Sequence, residues 1–154
     1  SGPQGWDIAV EKEHLGGKLR GLALLADITA VSSRPIGFPL RYKTGHVEVM
    51  LLHSYNHVGD VMMWIDGNHT NEYPTCDVLT VSDIPQPWSQ PVIHSALWTR
   101  PFSVPVRVVV SNHLPACSSN GDLSDECEAV LHICARYNKE SNSAKVKITS
   151  LLTE

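Results

Sequence analysis

Alternation of apolar and polar positions is the dominant period of this chain. In the stretch GHVEVMLLHSY (45–55), Val47, Val49, Leu51 and His53 fall on one side, with His46, Glu48, Met50 and Leu52 on the other. That period of two is expected of a strand with one face on a core. In GDVMMWIDG (59–67), Val61, Met63 and Ile65 oppose Met62, Trp64 and Asp66. Val104, Val106, Val108 and Val110 share a side of VPVRVVVS, and AKVKITSLL (144–152) alternates Val146 and Ile148 with Lys145 and Lys147. Weaker runs at 6–11, 20–26, 35–41, 77–82, 92–98 and 128–136 read as further strands, most of them bounded by Gly, Pro or Asn/Asp clusters. The stretch LLHSYNHVGDVMMWIDGNHT (51–70) reads as two neighbouring strands joined by the turn Tyr55-Asn56-His57-Val58-Gly59.

Helical periodicity competes at only two places. The segment at 10–27 is broken by Gly16, Gly17 and Gly21. At 122–137 the apolar positions fit a helix nearly as well as a strand, but Ser124 is followed by Cys127 three residues on, not by the Glu or Gln of a capping box. A β-rich domain needs that segment to complete a sheet, which favours a strand. Prolines at 85, 87, 91, 101 and 105 make 83–105 an irregular connection along a sheet edge. About nine short strands with turn signals at similar spacing predict an all-β fold, an antiparallel β-sandwich of jelly-roll-like form.

Composition narrows this picture. A chain of 154 residues with 42% hydrophobic and 18% charged residues suits one folded domain at 5–154. Residues 1–4, opening Ser1-Gly2-Pro3, read as a cleavage remnant. A net charge of −4 with scattered lysines gives no basic face, so nucleic acid is not an expected partner. The apolar runs at 21–26 and 106–111 are far shorter than the roughly 20 residues of a membrane-spanning helix.

Cysteines stand at 76, 117, 127 and 134, with no C-x-x-C pair to suggest a zinc site. An even count suits two disulfides, with three connectivities open. Cys117 and Cys127 flank the polar loop at 118–126 and are placed to close it, whereas Cys134, in an apolar run, is equally well read as a buried free thiol. Asn68-His69-Thr70 is a glycosylation sequon after the turn-forming Asp66-Gly67, so Asn68 is the expected glycan acceptor. Cysteine parity and the sequon together point to a secreted protein or one in the secretory-pathway lumen.

A set of motifs also resembles a known family. Gly5-Trp6, the run Leu52-His53-Ser54-Tyr55 leading to Gly59, and Lys145-Val146-Lys147-Ile148 leading to Leu151 are similar to motifs of a β-sandwich domain. That domain follows SGNH/GDSL-type esterase-like domains in some plant and algal proteins. Val58 stands where the family has Met before the turn glycine, the family's cysteine-rich segment is sparse, and no Gly-Asp-Ser block opens the chain. The resemblance implies an accessory module and carries over no catalytic residue.

Candidate chemistry is weighed against simpler accounts. His53, His57, His69 and His94 include metal-ligating side chains, but no H-x-H or H-E-x-x-H pattern appears, and a His53 hydrogen-bonded within the sheet with His57 exposed at a turn fits better. Ser54, His57 and Asp60 make a nucleophilic triad only on paper, lacking a G-x-S-x-G elbow. The carboxylates Asp60, Asp66, Glu11 and Glu13 read as solvated strand ends, not as the paired acids of a glycosidase. Asn120, Asp122 and Asp125, with Glu126, offer oxygen ligands that calcium would accept, although the loop lacks the full calcium-loop pattern. No other cofactor is implied.

The aromatic residues are the most suggestive feature. With Val61, Met63 and Ile65 on the core, Trp64 is expected to be exposed or to face a cleft, together with Asp66, while Trp88 lies in the loop PQPWSQP. Indoles beside Tyr55, Asn56 and His57 suit carbohydrate, whose apolar ring faces stack on aromatics while its hydroxyls need planar polar partners. The expectation is therefore a non-catalytic accessory or recognition module with a glycan or polysaccharide as favoured partner. The alternative is a module that packs against another protein or an adjacent hydrolase-like domain and has no ligand of its own.

Overall fold

The computed structural model describes residues 34–56, 58–67, 73–84, 87–117 and 126–154, together with the strand backbones at 6–10 and 22–26. The strands are β1 (Trp6–Val10), β2 (Leu22–Ala26), β3 (Ile36–Tyr42), β4 (Val47–His53), β5 (Asp60–Asp66), β6 (Val92–Ser95), β7 (Val104–Val109), β8 (Cys127–Arg136) and β9 (Val146–Thr153). They form a five-stranded sheet in the order β1-β2-β9-β4-β7 and a four-stranded sheet in the order β3-β8-β5-β6. Every pairing between these strands is antiparallel. The all-β, two-sheet sandwich expected from the alternation is the fold. Among the described residues no helix is long and apolar enough to cross a membrane.

The pairing is nested. β5 lies beside β6, β4 beside β7, β3 beside β8 and β2 beside β9, so the chain from 22 to 153 behaves as one long hairpin folded over into two layers. β4 and β5 are consecutive in sequence yet belong to different sheets. The 51–70 stretch is thus a crossover between layers, not a pair of neighbouring strands, because each strand finds its ladder partner elsewhere. The segment 122–137 holds a strand, β8, and no helix is seen there among the described residues.

The main core lies between the sheets. Val47, Val49 and Leu51 of β4, with Val108, Val146 and Ile148, meet Val61, Met63 and Ile65 of β5 and Leu131 and Ile133 of β8. These are the positions that the period of two assigns to one face. The edge strands β3 and β7 each carry a proline, Pro39 and Pro105, which lacks an N–H to offer to another chain.

A second core covers the outer face of the four-stranded sheet. Met62, Trp64 and Cys134 pack there against Cys76, Leu79, Ile84 and Tyr73, all from the connection after β5. The disulfide Cys76–Cys134 ties that connection to β8, and Cys117–Cys127 joins the ends of the 118–126 loop as its spacing suggested. Cys134 is therefore not a free thiol. The strand expected at 77–82 is instead a turn followed by a 3-10 helical turn at Val81–Asp83. The Asp83 carboxylate accepts from the Thr80 amide at 2.7 Å, a local bond that competes with a ladder.

Gly59 is fixed by close approach. A Cβ there would lie 2.4 Å from the Arg136 carbonyl oxygen and 2.6 Å from the Ala144 Cα, both backbone atoms that cannot swing aside. Its own amide donates to the Lys145 carbonyl at 2.8 Å, and its carbonyl accepts from Ala96 at 3.1 Å. Gly59→Ala is expected to cost about 1–3 kcal/mol by overpacking, read as a lowered urea midpoint.

Candidate binding cleft

Beyond β4 the chain leaves the five-stranded sheet and bonds to the segment leaving β6. The Ser54 amide donates to the Ala96 carbonyl at 2.9 Å and the Trp98 amide to the Ser54 carbonyl at 3.0 Å. This parallel bridge sets Tyr55 and Asn56 beside Trp98. A third wall comes from the turn after β8. Asn138 organises it, its Oδ1 accepting from the Glu140 and Ser141 amides at 2.8 and 3.2 Å while its Nδ2 donates to Asp60 at 2.8 Å. The Ser141 hydroxyl donates to the Val58 carbonyl.

These elements enclose an open cleft of about 520 Å³ lined by Tyr55, Asn56, Ser95, Leu97, Trp98, Thr99, Glu140 and Ser141. Tyr55 is 51% exposed. Trp98 is half-buried and held in place: Nε1 donates to the Phe102 carbonyl at 2.8 Å, and its ring meets His53 and Phe102 edge-on at 5.2 and 5.3 Å. The Arg100 guanidinium carbon lies 5.4 Å from the ring centre, a cation–π contact. With the indole N–H already bonded, the ring contributes mainly apolar surface. Asn56, Ser95, Thr99, Glu140 and Ser141 contribute donors and acceptors.

Behind Trp98, His53 of β4 and His94 of β6 face each other with Nε2 atoms 2.7 Å apart. Burial pushes both imidazoles below their ordinary titration. The facing His94 lowers His53 further, and the Asp60 carboxylate partly offsets the effect at His94. The hydrogen-bonded His53 foreseen from the sequence has its partner across the layers rather than within its own sheet.

The structure separates the expected ligand-binding residues. It brings Tyr55 and Asn56 into the cleft. Trp64 does not reach a surface: it is 0% exposed in the second core, because the 73–84 connection covers the face assumed to be open. Asp66 is 1% exposed and accepts from Trp64 Nε1 at 3.3 Å, Tyr73 Oη at 2.6 Å and His132 Nε2 at 2.7 Å. It is a buried, satisfied carboxylate and not a solvated strand end. Trp88 is 39% exposed, but its amide bonds the Ile65 carbonyl, whereas the cleft takes Ser95, paired with Asp60 at the other end of β5. His57, Asn68, Asn120, Asp122 and Asp125 lie outside the described residues, as do His69, Glu11 and Glu13.

Ser54 Oγ lies 3.0 Å from Ser103 Oγ, and Asp60 is engaged by Asn138. Asp60 and Asp66 stand at opposite ends of β5, roughly 20 Å apart at the rise of an extended strand, too far for a glycosidase pair. Among the described residues no group of three or more His, Cys, Asp or Glu side chains could hold a metal ion. Trp98 was the functional candidate that alternation did not single out. Its one signal is position, since in SALWTRPF the tryptophan follows a short strand and precedes a Thr-Arg-Pro turn.

The fold and cleft define a disulfide-bearing antiparallel β-sandwich with an aromatic-lined opening at one end of its layers. No protein-family model, curated protein or solved structure matches the chain.

Proposed function

We propose that the chain is a carbohydrate-recognition module of jelly-roll form, acting without catalysis of its own and binding glycan in the Tyr55–Trp98 cleft. One observation carries this reading: two aromatic side chains share an open cleft with an amide, a carboxylate and three hydroxyls. Sugars offer an apolar C–H face to an aromatic ring and paired hydroxyls to planar polar groups, and the lining answers both needs. The nested strand order supports the jelly-roll assignment, which is built from interlocked Greek keys. Two disulfides support an oxidising compartment such as the secretory pathway. An accessory role beside an esterase-like domain accords with the motif resemblance.

A second reading has one observation in its favour. On the outer face of the five-stranded sheet, Val109 and Leu152 are exposed on either side of Glu48. A domain-packing surface needs a contiguous apolar patch, and here Glu48, Arg107 and Ser150 interrupt it. The cleft is the better-built feature.

The test is retention on soluble β-glucan, xylan, mannan and pectin and on insoluble cellulose and chitin, with and without chelator. Tyr55→Ala and Trp98→Ala are each expected to weaken binding about 30-fold, the loss of a contact worth about 2 kcal/mol. Trp88→Ala, at the far end of β5, is expected to bind normally. Retention on none of the six, or retention indifferent to both cleft substitutions, would overturn the proposal.

A further inference from the structure

We infer that the His53–His94 pair is an acid-sensitive clasp that holds the Trp98 wall of the cleft in place at neutral pH and releases it on protonation. The inference concerns regulation of the same cleft, and its biological meaning rests on the recognition reading. The two rings come from different layers. His53 ends the core-facing row of β4 in the five-stranded sheet, and His94 sits on β6, an edge of the four-stranded sheet, opposite Val61. Their 2.7 Å contact is thus a side-chain tie between the sheets at the cleft end of the sandwich.

The proton inventory makes the tie conditional. Two neutral imidazoles share one N–H between facing Nε2 atoms. His53 Nδ1 is buried with no hydrogen-bond partner among the described residues. A bare acceptor is tolerated there better than an orphaned N–H, which assigns the proton of His53 to Nε2, donating to His94. An added proton is favoured on His94, the ring on which the Asp60 charge bears. His94 then presents an N–H at Nε2, and the bond survives only if His53 shifts its own proton to the buried, partnerless Nδ1. A second added proton leaves two N–H groups facing each other with no acceptor between them.

The effect reaches the cleft through one contact. His53 and Trp98 pack edge to face with ring centres 5.2 Å apart, so a displaced imidazole removes that support. The charged groups on the surrounding elements are Asp60 on β5, Arg136 opposite it on β8, Arg100 over Trp98, Arg107 on β7 and Glu140 in the turn after β8. Of these, Asp60 is the one whose charge bears on His94. Because both rings titrate below their ordinary value when folded, the unfolded chain takes up protons first. Stability is full above the unfolded imidazole value of about 6.5 and falls as the pH drops below it towards the folded titration.

The experiment is NMR of imidazole and indole resonances in the full chain without ligand, from pH 8 to 4.5, with Trp98 assigned by Trp98→Phe. His53 and His94 are expected to titrate below the ordinary imidazole value, and the Trp98 indole resonance to shift with their midpoint. In His94→Asn that acid transition of Trp98 is lost, and His53→Asn serves if the first variant does not fold. A Trp98 resonance that stays flat while the pair titrates, or a transition that persists in a folded variant, would overturn the inference. A failure of glycan retention bears on the recognition reading alone, since this titration uses no glycan.

Discussion

Trp64→Ala is expected to lower the free energy of unfolding by about 3–5 kcal/mol, as for a large aromatic removed from a closed core. Trp64 sits between β5 and the connection that covers it, stacked on His132 at 5.1 Å and edge-on to Tyr73 at 5.3 Å. Truncation leaves a cavity and removes one of the donors to the buried Asp66 carboxylate. The check is a urea melt in which the midpoint falls and the slope is unchanged. Trp88→Ala, at an exposed position, is expected to stay within about 0.5 kcal/mol of the parent. Equal effects of the two substitutions would mean that the second core contributes little.

Removing the Cys76–Cys134 bridge as Cys76→Ala with Cys134→Ala is expected to cost about 4 kcal/mol on the loop-entropy model, given a sequence separation of 58. The same model gives about 3 kcal/mol for Cys117–Cys127, whose separation is 10. The ordering of the two is read from paired urea melts. The longer bridge and Trp64 hold the same cover against the same strand. Combining their substitutions should therefore give less than the sum of the separate losses, because a cover already loosened has less packing to lose.

That cover explains what could and could not be read from sequence. The rows Val47-Val49-Leu51 and Val61-Met63-Ile65 follow from the period of two, since each has the main core on one side. Trp64 is buried rather than exposed because the opposite face of β5 meets the 73–84 connection and not solvent. The run Val61-Met62-Met63-Trp64-Ile65 contains no polar residue at all, which is the signature of a strand buried on both faces. The covering segment itself escaped pattern reading because its anchors, Cys76, Leu79 and Ile84, follow no strand or helix period. They are set by side-chain bonds such as Asp83 to Thr80.

The cleft was half legible. Tyr55 and Asn56 lie in a turn, where exposed aromatic and amide side chains stand out from the strand pattern. Trp98 and Glu140 join them only through tertiary structure. The Ser54–Leu97 bridge brings one, and the Asn138-organised turn brings the other from more than eighty residues away. No local spacing encodes such a meeting. The His53–His94 contact is of the same kind, two residues 41 apart whose relation depends on which sheet each strand joins.

The nested pairing has a consequence for how the chain comes into being. During synthesis from the N-terminus, β2, β3 and β4 emerge long before β9, β8 and β7, the strands they pair with. Outside the nest β1 and β2 pair early with each other, and within it only β5 finds its partner, β6, close behind it. Ordering of the nested strands is therefore expected to begin at that innermost hairpin and to spread outward as later strands appear. Most of the ladder closes between distant residues, which places the chain among the slower-folding topologies. Until β9 is made, the early strands stay open to other chains, and Cys76 waits for Cys134. The nascent protein's exposure to aggregation and wrong thiol partners is thus written into its strand order.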